Sequence, residues 1–130
     1  MEKEKLTPLV INIEKETLKN NFYRRVLYTD TYSQTVLMSI PVSEEIGFEK
    51  HSASQSIRIE KGQGLLQILD PNNSKFVLEY DLFDGFWMDI PPGTYHNIKN
   101  VSSNDPLKLY TKYAPPVHIQ GLTEMVKPEE

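Results

Sequence analysis

Short runs of β-forming residues, each ended by turn residues, constrain the fold of this chain more than any other feature. From Tyr23 onward, β-branched and aromatic residues recur in eight runs, namely YRRVLYT, QTVLMSIP, QSIRIEKG, GLLQIL, KFVLEYDL, GFWMDIPP, YHNIKN and LKLYTKY. Turn residues separate these runs, at Thr29-Asp30-Thr31, Pro71-Asn72-Asn73-Ser74, Asp84-Gly85, Pro92-Gly93 and Ser102-Ser103-Asn104-Asp105-Pro106. Strands this short, with turns at intervals of about 8–12 residues, predict an all-β sandwich or barrel.

The segments before and after these runs have a different character. The stretch LVINI resembles a short strand, whereas the following EKETLKNN is typical of one or two helical turns. Glu14 and Glu16 precede Lys19, which suits the dipole of a helix. We expect an N-terminal arm over residues 1–22 with a short helical or extended segment, a barrel over residues 23–118, and an irregular C-terminal tail over residues 119–130.

Composition excludes several classes of function. The chain has 130 residues, enough for one hydrophobic core. Its 14 basic residues stand against 18 acidic ones, which argues against a nucleic-acid partner. The absence of cysteine excludes disulfides, thiolate metal sites and cysteine nucleophiles. No apolar run approaches the ~20 residues of a membrane span, and the N-terminus does not resemble a secretory signal. We therefore expect a cytoplasmic protein without a membrane partner.

Two sets of spaced residues carry the chemistry. The first runs from Ser43 through Glu49, His51 and Gln55 to Gly62. Glu49 and His51 are two residues apart, so on a strand both side chains face the same side. Gln55 shares a face with Ile57 and Ile59 and is expected to be buried, where its amide needs a partner.

The second set lies between residues 85 and 100. Its fixed positions are Gly85, Pro91, Gly93, His96 and Asn100. Pro91-Pro92-Gly93 predicts a tight turn, and His96 follows it on the next strand, facing inward.

These two spacings resemble the two motifs of the cupin superfamily. The second motif, G-x5-P-x-G-x2-H-x3-N, is matched at every fixed position from Gly85 to Asn100. The first, G-x5-H-x-H-x3-E-x6-G, keeps its spacing, with Glu49 in place of the first histidine and Gln55 in place of the glutamate. A register that starts the histidine pair at His51 is rejected, because the glutamate position would then fall on Ile57.

The resemblance covers roughly residues 20–118 and extends to small single-domain microbial cupins. Members of that subgroup are loosely labelled as resembling mannose-6-phosphate isomerases. The resemblance implies a double-stranded β-helix, that is, a jelly-roll barrel, and by analogy a homodimer.

Four side chains form the predicted metal site. Glu49 and Gln55 supply oxygen atoms and His51 and His96 supply nitrogen atoms, a set that suits a borderline or moderately hard divalent ion such as Fe(II), Mn, Ni or Zn. Four protein ligands leave about two positions of an octahedron open for water, dioxygen or a chelating ligand. The alternative is a metal-free cupin that uses these polar groups to hold a small ligand.

Four further residues are candidates for substrate binding. We expect one arginine of the pair Arg24-Arg25 to face the pocket and attract an anionic ligand. Arg25 is the candidate from this pair, and Arg58 is a further candidate. Tyr28 and Trp87 are candidates for the pocket wall, because ligand sites in small barrels are largely apolar. His118 is weighed as an acid or base at the pocket rim, against a simple position in a surface loop.

Two functions remain open at this point. The first is a metal-dependent enzyme that acts on a small oxygen-rich metabolite by dioxygenase-type or isomerase-type chemistry, with the ion as Lewis acid. The second is a non-catalytic cupin that binds a sugar or metabolite. Both functions stay open, with and without enzymatic turnover, because one fold carries many functions.

Overall fold

The computed structural model describes residues 6–70, 72, 75 and 77–129 of the chain. The predicted turn at residues 71–74 lies outside them except for Asn72, as do Phe76 of the fifth run, residues 1–5 of the arm and Glu130. The elements, in chain order, are α1 (Ile13–Lys19), β1 (Arg24–Thr29), β2 (Gln34–Ile40), β3 (Ser54–Lys61), β4 (Gly64–Leu69), β5 (Val77–Leu82), β6 (Trp87–Ile90), β7 (His96–Asn100), β8 (Leu107–Ala114) and β9 (Thr123–Glu124). Each predicted run corresponds to one strand, from β1 to β8.

The strands form two antiparallel sheets. The larger sheet has the order β6-β3-β8-β2-β1-β9, and the smaller has the order β5-β4-β7. β1 and β2 are consecutive in the chain, as are β4 and β5, but the other neighbours, such as β3 and β8, are not, so the chain crosses between the sheets repeatedly. This is the jelly-roll arrangement, and the predicted all-β fold is confirmed.

Alternating side chains of both sheets fill the space between them. Val36, Met38 and Ile40 of β2 face the interior, as do Leu66 of β4 and Ile98 of β7. These residues are at most 4% exposed, which is the burial expected where two inner faces meet. The middle of the barrel is therefore a dry apolar core.

One end of the barrel interior is polar. Gln55, Tyr113 and Gln34 stand side by side across β3, β8 and β2. All three are at most 5% exposed. A buried row of this kind needs hydrogen-bond partners or a ligand, so it marks the end at which a site is expected.

Side chains alternate along β8, but one of its lysines does not face solvent. Leu107, Leu109 and Thr111 are buried inside the barrel. Lys108 on the opposite face is only 6% exposed, and its Nζ donates to the Asn20 carbonyl oxygen and, at 3.0 Å, to Asn21 Oδ1. Lys108 is withdrawn from solvent because the N-terminal arm covers that part of the outer face.

The N-terminal arm takes the helical alternative. Asn12 Oδ1 accepts from the Lys15 amide at 3.0 Å and caps α1, which packs on β3 and β8. The stretch LVINI forms no strand in the part of the chain that the structure describes. No helix among the described residues is long and apolar enough to cross a membrane.

The C-terminal tail joins the two sheets along one side of the barrel. Its strand β9 pairs with β1, with Glu124 opposite Arg24. Lys127 Nζ donates to the Glu45 carbonyl oxygen at 3.0 Å, and Glu45 pairs in turn with Lys99 of β7. The tail thus spans from β1 of the larger sheet to the segment beside β7 of the smaller sheet. The boundaries proposed for arm, barrel and tail stay predictions.

Candidate metal centre

Glu49, His51 and His96 converge at the polar end of the barrel. One ligand atom from each lies within 4.8 Å of those of the other two. Glu49 and His96 are fixed by their backbones, because each amide donates to the carbonyl oxygen of the other at 2.9 Å. His51 follows Glu49 by two residues on the same extended segment, which forms isolated bridges and not a regular strand.

The ring of His96 is oriented by a backbone partner. Its Nδ1 lies 2.9 Å from the Thr94 carbonyl oxygen, which only accepts, so Nδ1 carries the proton. The lone pair of Nε2 is then available to a metal ion, which is the usual arrangement for histidine ligands. Burial lowers the pKa of His96, so the ring is neutral and able to bind a metal at neutral pH.

Glu49 and His51 are already at ligand spacing. His51 Nε2 lies 3.2 Å from Glu49 Oε1. Two atoms bound to one ion at distances of about 2.1 Å lie roughly 3.0–3.4 Å apart, so this separation is compatible with shared coordination. Burial would raise the pKa of Glu49, but the hydrogen bond and charge of His51, with the charges of His96 and Arg24, outweigh burial and lower it. The carboxylate is therefore anionic at neutral pH.

Gln55 gives the clearest sign that the site needs a further binding partner. Its Nε2 donates to Thr111 Oγ1 at 3.1 Å, which orients the amide. Its Oε1 is buried without a hydrogen-bond partner. An orphaned carbonyl oxygen in the interior is costly, and a metal ion is one group that satisfies it. The residues present therefore fit a divalent ion.

The remaining motif positions support the backbone. Asn100 closes the second motif, and its Nδ2 donates to the carbonyl oxygens of Ile40, Pro41 and Asp105 at 2.9–3.2 Å. Ser43, at the opening position of the first motif, has a φ of 64°, a conformation that glycine adopts at less cost. Both positions hold loops at the end of β7 opposite His96.

Two interior residues near the site were not among the named substrate-binding candidates. Arg24 stands in register with Met38, a core residue, and its side chain is 12% exposed. His118 packs its ring edge-on against Tyr113 at 5.3 Å, and the Tyr113 ring meets that of His51 at the same distance. Both Arg24 Nε and His118 Nε2 are buried without a hydrogen-bond partner.

Arg25 and Tyr28 do not join the metal centre. Arg25 is the neighbour of Arg24 and therefore faces the outside of β1, where it lines a groove with Lys19 and Met125. Tyr28 donates its hydroxyl to the Thr7 carbonyl oxygen at 2.7 Å and so holds the N-terminal arm.

Arg58 and Trp87 stand opposite each other on the outer face of the larger sheet. Arg58 lies between Ile57 and Ile59, which face the core, and it pairs with Glu60. Trp87 is 54% exposed and donates from Nε1 to Asp89 Oδ2 at 3.1 Å. The structure therefore does not bring either residue to the metal centre.

Comparisons with known proteins agree with this fold. The crystal structure of BH2720 from Bacillus halodurans superposes with a TM-score of 0.85 at 44% identity, over 93% of this chain and 91% of that one. An uncharacterized protein of Acanthamoeba polyphaga mimivirus is 43% identical over 92% of this chain and 73% of its own length. YrkC of Bacillus subtilis is 37% identical over 92% of this chain, which spans 64% of that relative's length.

No family model matches the chain. The fold, however, extends to named members of one superfamily. An RmlC-like cupin of Methanocaldococcus jannaschii with a double-stranded β-helix superposes with a TM-score of 0.61 at 17% identity, over 86% of this chain and 91% of that one. The mannose-6-phosphate isomerase label remains a loose one. The chain belongs to one family with BH2720 of Bacillus halodurans, and its two antiparallel sheets have the double-stranded β-helix fold of the cupins.

Proposed function

We propose that this cupin binds one divalent metal ion through Glu49, His51, Gln55 and His96, and uses it to hold a small oxygen-rich metabolite. The observation that carries the proposal is the orphaned Gln55 Oε1 at the end of the barrel where the three other ligand atoms converge. Two nitrogen atoms, one carboxylate and one neutral carbonyl favour Fe(II), Mn, Ni or Zn.

The proposed activity is dioxygenase-type or isomerase-type chemistry on that metabolite. A bound ion would supply Lewis-acid polarisation of a ligand oxygen. Glu49 holds an anionic oxygen at the site and His96 is kept neutral by burial, with its proton on Nδ1. The apolar core below the polar row excludes water from the inner side of the site.

Binding without turnover is the second candidate. Gln55 favours this candidate, because its amide is neutral and binds a metal ion more weakly than a carboxylate would. Screening oxygen consumption and sugar-phosphate isomerisation separates the two functions. Turnover that disappears in His96→Ala supports the enzyme, and silence across both screens supports the binder.

Metal titration tests the proposal itself. Isothermal titration of metal-free protein with zinc or Mn²⁺ should give about one site per chain, as in a single-ion centre. His51→Ala and His96→Ala should lose that site, whereas His118→Phe, outside the ligand set, should keep it. A wild-type chain that takes up no ion would refute the proposal.

A homodimer is also proposed, from exposed apolar side chains at one side of the barrel. Tyr80 on edge strand β5 is 52% exposed, and Phe86 and Trp87 beside edge strand β6 are 46% and 54% exposed. Edge strands that expose such residues are suited to subunit contacts. Sedimentation velocity of the wild type and of Trp87→Lys tests this. The cytoplasmic location stays a prediction from composition.

A further inference from the structure

Arg24 is a buried cation with an unused donor. Its side chain enters the barrel from β1, and the guanidinium lies 5.1 Å from the centre of the Tyr23 ring. One terminal nitrogen pairs with Glu124 of the tail, but Nε has no hydrogen-bond partner. A guanidinium has five N–H donors, and leaving a buried one unpaired is unfavourable. The arrangement therefore favours a further acceptor beside Arg24.

His118 is also held rigidly, and its Nε2 has no hydrogen-bond partner. Gln34 Nε2 donates to the His118 carbonyl oxygen at 2.8 Å, and Gln34 Oε1 accepts from the His118 amide at 3.0 Å. The ring is fixed edge-on to Tyr113, one aromatic ring away from the metal ligand His51. Three contacts that fix a loop residue, with a buried Nε2 left free, are typical of a side chain positioned for a ligand.

Arg24 and His118 each present a buried nitrogen atom without a hydrogen-bond partner. The charge of Arg24 acts on both His118 and Glu49, lowering the pKa of each. These side chains come from β1, the loop after β8 and the segment before β3. The loop after β8 thus carries His118, and the tail carries Glu124, the partner of Arg24.

The charges of these groups do not balance once a divalent ion is bound. The ion and Arg24 carry three positive charges, whereas Glu49 and Glu124 carry two negative charges. One positive charge remains in a largely buried region, which favours a monoanion over a neutral sugar. A carboxylate also matches the planar donor geometry of a guanidinium.

We infer that Arg24 and His118 form an anion subsite beside the metal centre, and that the ligand is a small carboxylic acid. Its carboxylate accepts from Arg24 Nε and His118 Nε2, and a second oxygen atom, such as a hydroxyl or keto group, reaches the ion. The inference rests on the proposed function for the ion, whereas the two unpaired nitrogen atoms belong to the chain itself.

The test compares glycolate with ethylene glycol, which has a hydroxyl in place of the carboxylate. Zinc-loaded protein is titrated with each probe by calorimetry. Glycolate should bind, and ethylene glycol should bind at least about 10-fold more weakly, as expected for loss of a charged hydrogen bond. Equal affinity for both probes would overturn the inference. Tighter binding of inorganic phosphate than of glycolate would overturn the choice of a carboxylate.

Neighbouring arginines provide the matched control. Arg24→Gln should weaken glycolate binding by about 10- to 100-fold, and His118→Phe, which keeps a ring against Tyr113, by several-fold. Arg25→Gln, on the outer face, should leave glycolate affinity unchanged. An Arg24→Gln chain that binds glycolate like the wild type refutes the subsite, and circular dichroism checks that it is folded. Should it not fold, Arg24→Lys, which keeps the charge but lacks Nε, takes its place.

Glu124 supplies a variant that acts in the opposite direction. Glu124→Gln removes the carboxylate that competes for Arg24, so glycolate should bind more tightly, by about 3- to 10-fold. A purely structural role of the Arg24–Glu124 pair predicts no such gain, and unchanged or weaker binding would count against the inference.

A failure of the anion subsite can be distinguished from a failure of the proposed metal binding. If wild-type protein binds no metal, the proposed function fails on its own. Glycolate is then titrated into metal-free protein and followed by NMR shifts. Binding that Arg24→Gln weakens and Arg25→Gln leaves alone still supports the subsite, whereas binding that neither variant changes, or no binding, overturns it.

Discussion

Glu49 and His96 exchange two backbone hydrogen bonds of 2.9 Å across an isolated bridge. The two residues belong to different motifs, 47 positions apart in the numbering. Because the backbones are paired, the two side chains are held at one place before any ion binds. A preformed site of this kind loses little conformational entropy on binding.

Removing a histidine ligand should therefore abolish metal binding without unfolding the barrel. In His96→Ala, metal-free stability should change by no more than about 1–3 kcal/mol, because a buried ring is lost but the backbone pair with Glu49 remains. Zinc should raise the melting temperature of the wild type and leave that of His96→Ala unchanged. An equal zinc-induced rise in both proteins would mean that the ion binds elsewhere.

Replacing Gln55 by glutamate should destabilise the metal-free protein but strengthen its binding of metal. Without metal, a buried carboxylate near Glu49 destabilises the chain through desolvation and like-charge repulsion. With metal, the added anionic ligand strengthens binding.

Thermal melts with and without zinc measure both effects. Gln55→Glu should have a lower melting temperature than the wild type without zinc and a larger zinc-induced rise. Gln63→Glu, an exposed substitution, is the control and should alter neither. A Gln55→Glu chain with an unchanged zinc-induced rise would remove Gln55 from the ligand set.

Acid should destabilise the metal-free protein. Burial, followed by the charge of Arg24, lowers the pKa of His118 to about 4, while an unfolded histidine titrates near 6.5. The unfolded chain thus binds more protons, so stability is fully present above about pH 6.5 and is lost as the pH falls towards about 4. His96, with its lowered pKa, acts in the same direction. Glu49, whose pKa is also lowered, adds a further loss of stability as the pH falls below the ordinary pKa of a glutamate.

Urea unfolding at pH 7, 6 and 5 checks that the free energy of unfolding falls as the pH is lowered. His118→Phe should have a shallower loss of stability over that range than the wild type, because one buried neutral histidine is gone. The charged and titratable groups around His118 that remain in this variant are Arg24, Glu49, His51, Glu124 and Tyr113. A slope identical to that of the wild type would show that His118 does not titrate in this way.

Asn100→Ala should be a stability variant and not a binding variant. It removes a side chain that donates to the carbonyl oxygens of Ile40, Pro41 and Asp105. Leaving buried carbonyl groups unpaired predicts a loss of about 2–4 kcal/mol in the free energy of unfolding. Zinc affinity, measured on the folded fraction at low temperature, should stay within a few-fold of the wild type.

Much of the fold was predictable because strand periodicity and turn residues are local signals. GLLQIL forms β4 over Gly64–Leu69, as the run predicts. The site depends on more than local pattern. Glu49, His51 and His96 were predicted from their positions in two motifs that resemble those of cupins, and long-range pairing brings them together. Gln55 as a fourth ligand stays a prediction, supported by its unpaired oxygen.

The pair Arg24-Arg25 illustrates what local pattern leaves undecided. Either arginine was able to face the pocket, and only the register of β1 against β2 places Arg24 inside and Arg25 outside. Arg58, between Ile57 and Ile59, could have been excluded from the interior by strand alternation. His118 reaches the interior through its hydrogen bonds with Gln34, 84 residues away in sequence, and no local signal marks that contact.

Anomalous diffraction from crystals grown with zinc tests the central claim most directly. The account predicts one strong peak per chain, with Glu49, His51 and His96 and the Gln55 carbonyl oxygen each about 2.0–2.3 Å from the ion. A peak at another position, or a Gln55 side chain turned away from an ion held by the other three residues, would contradict the four-ligand centre.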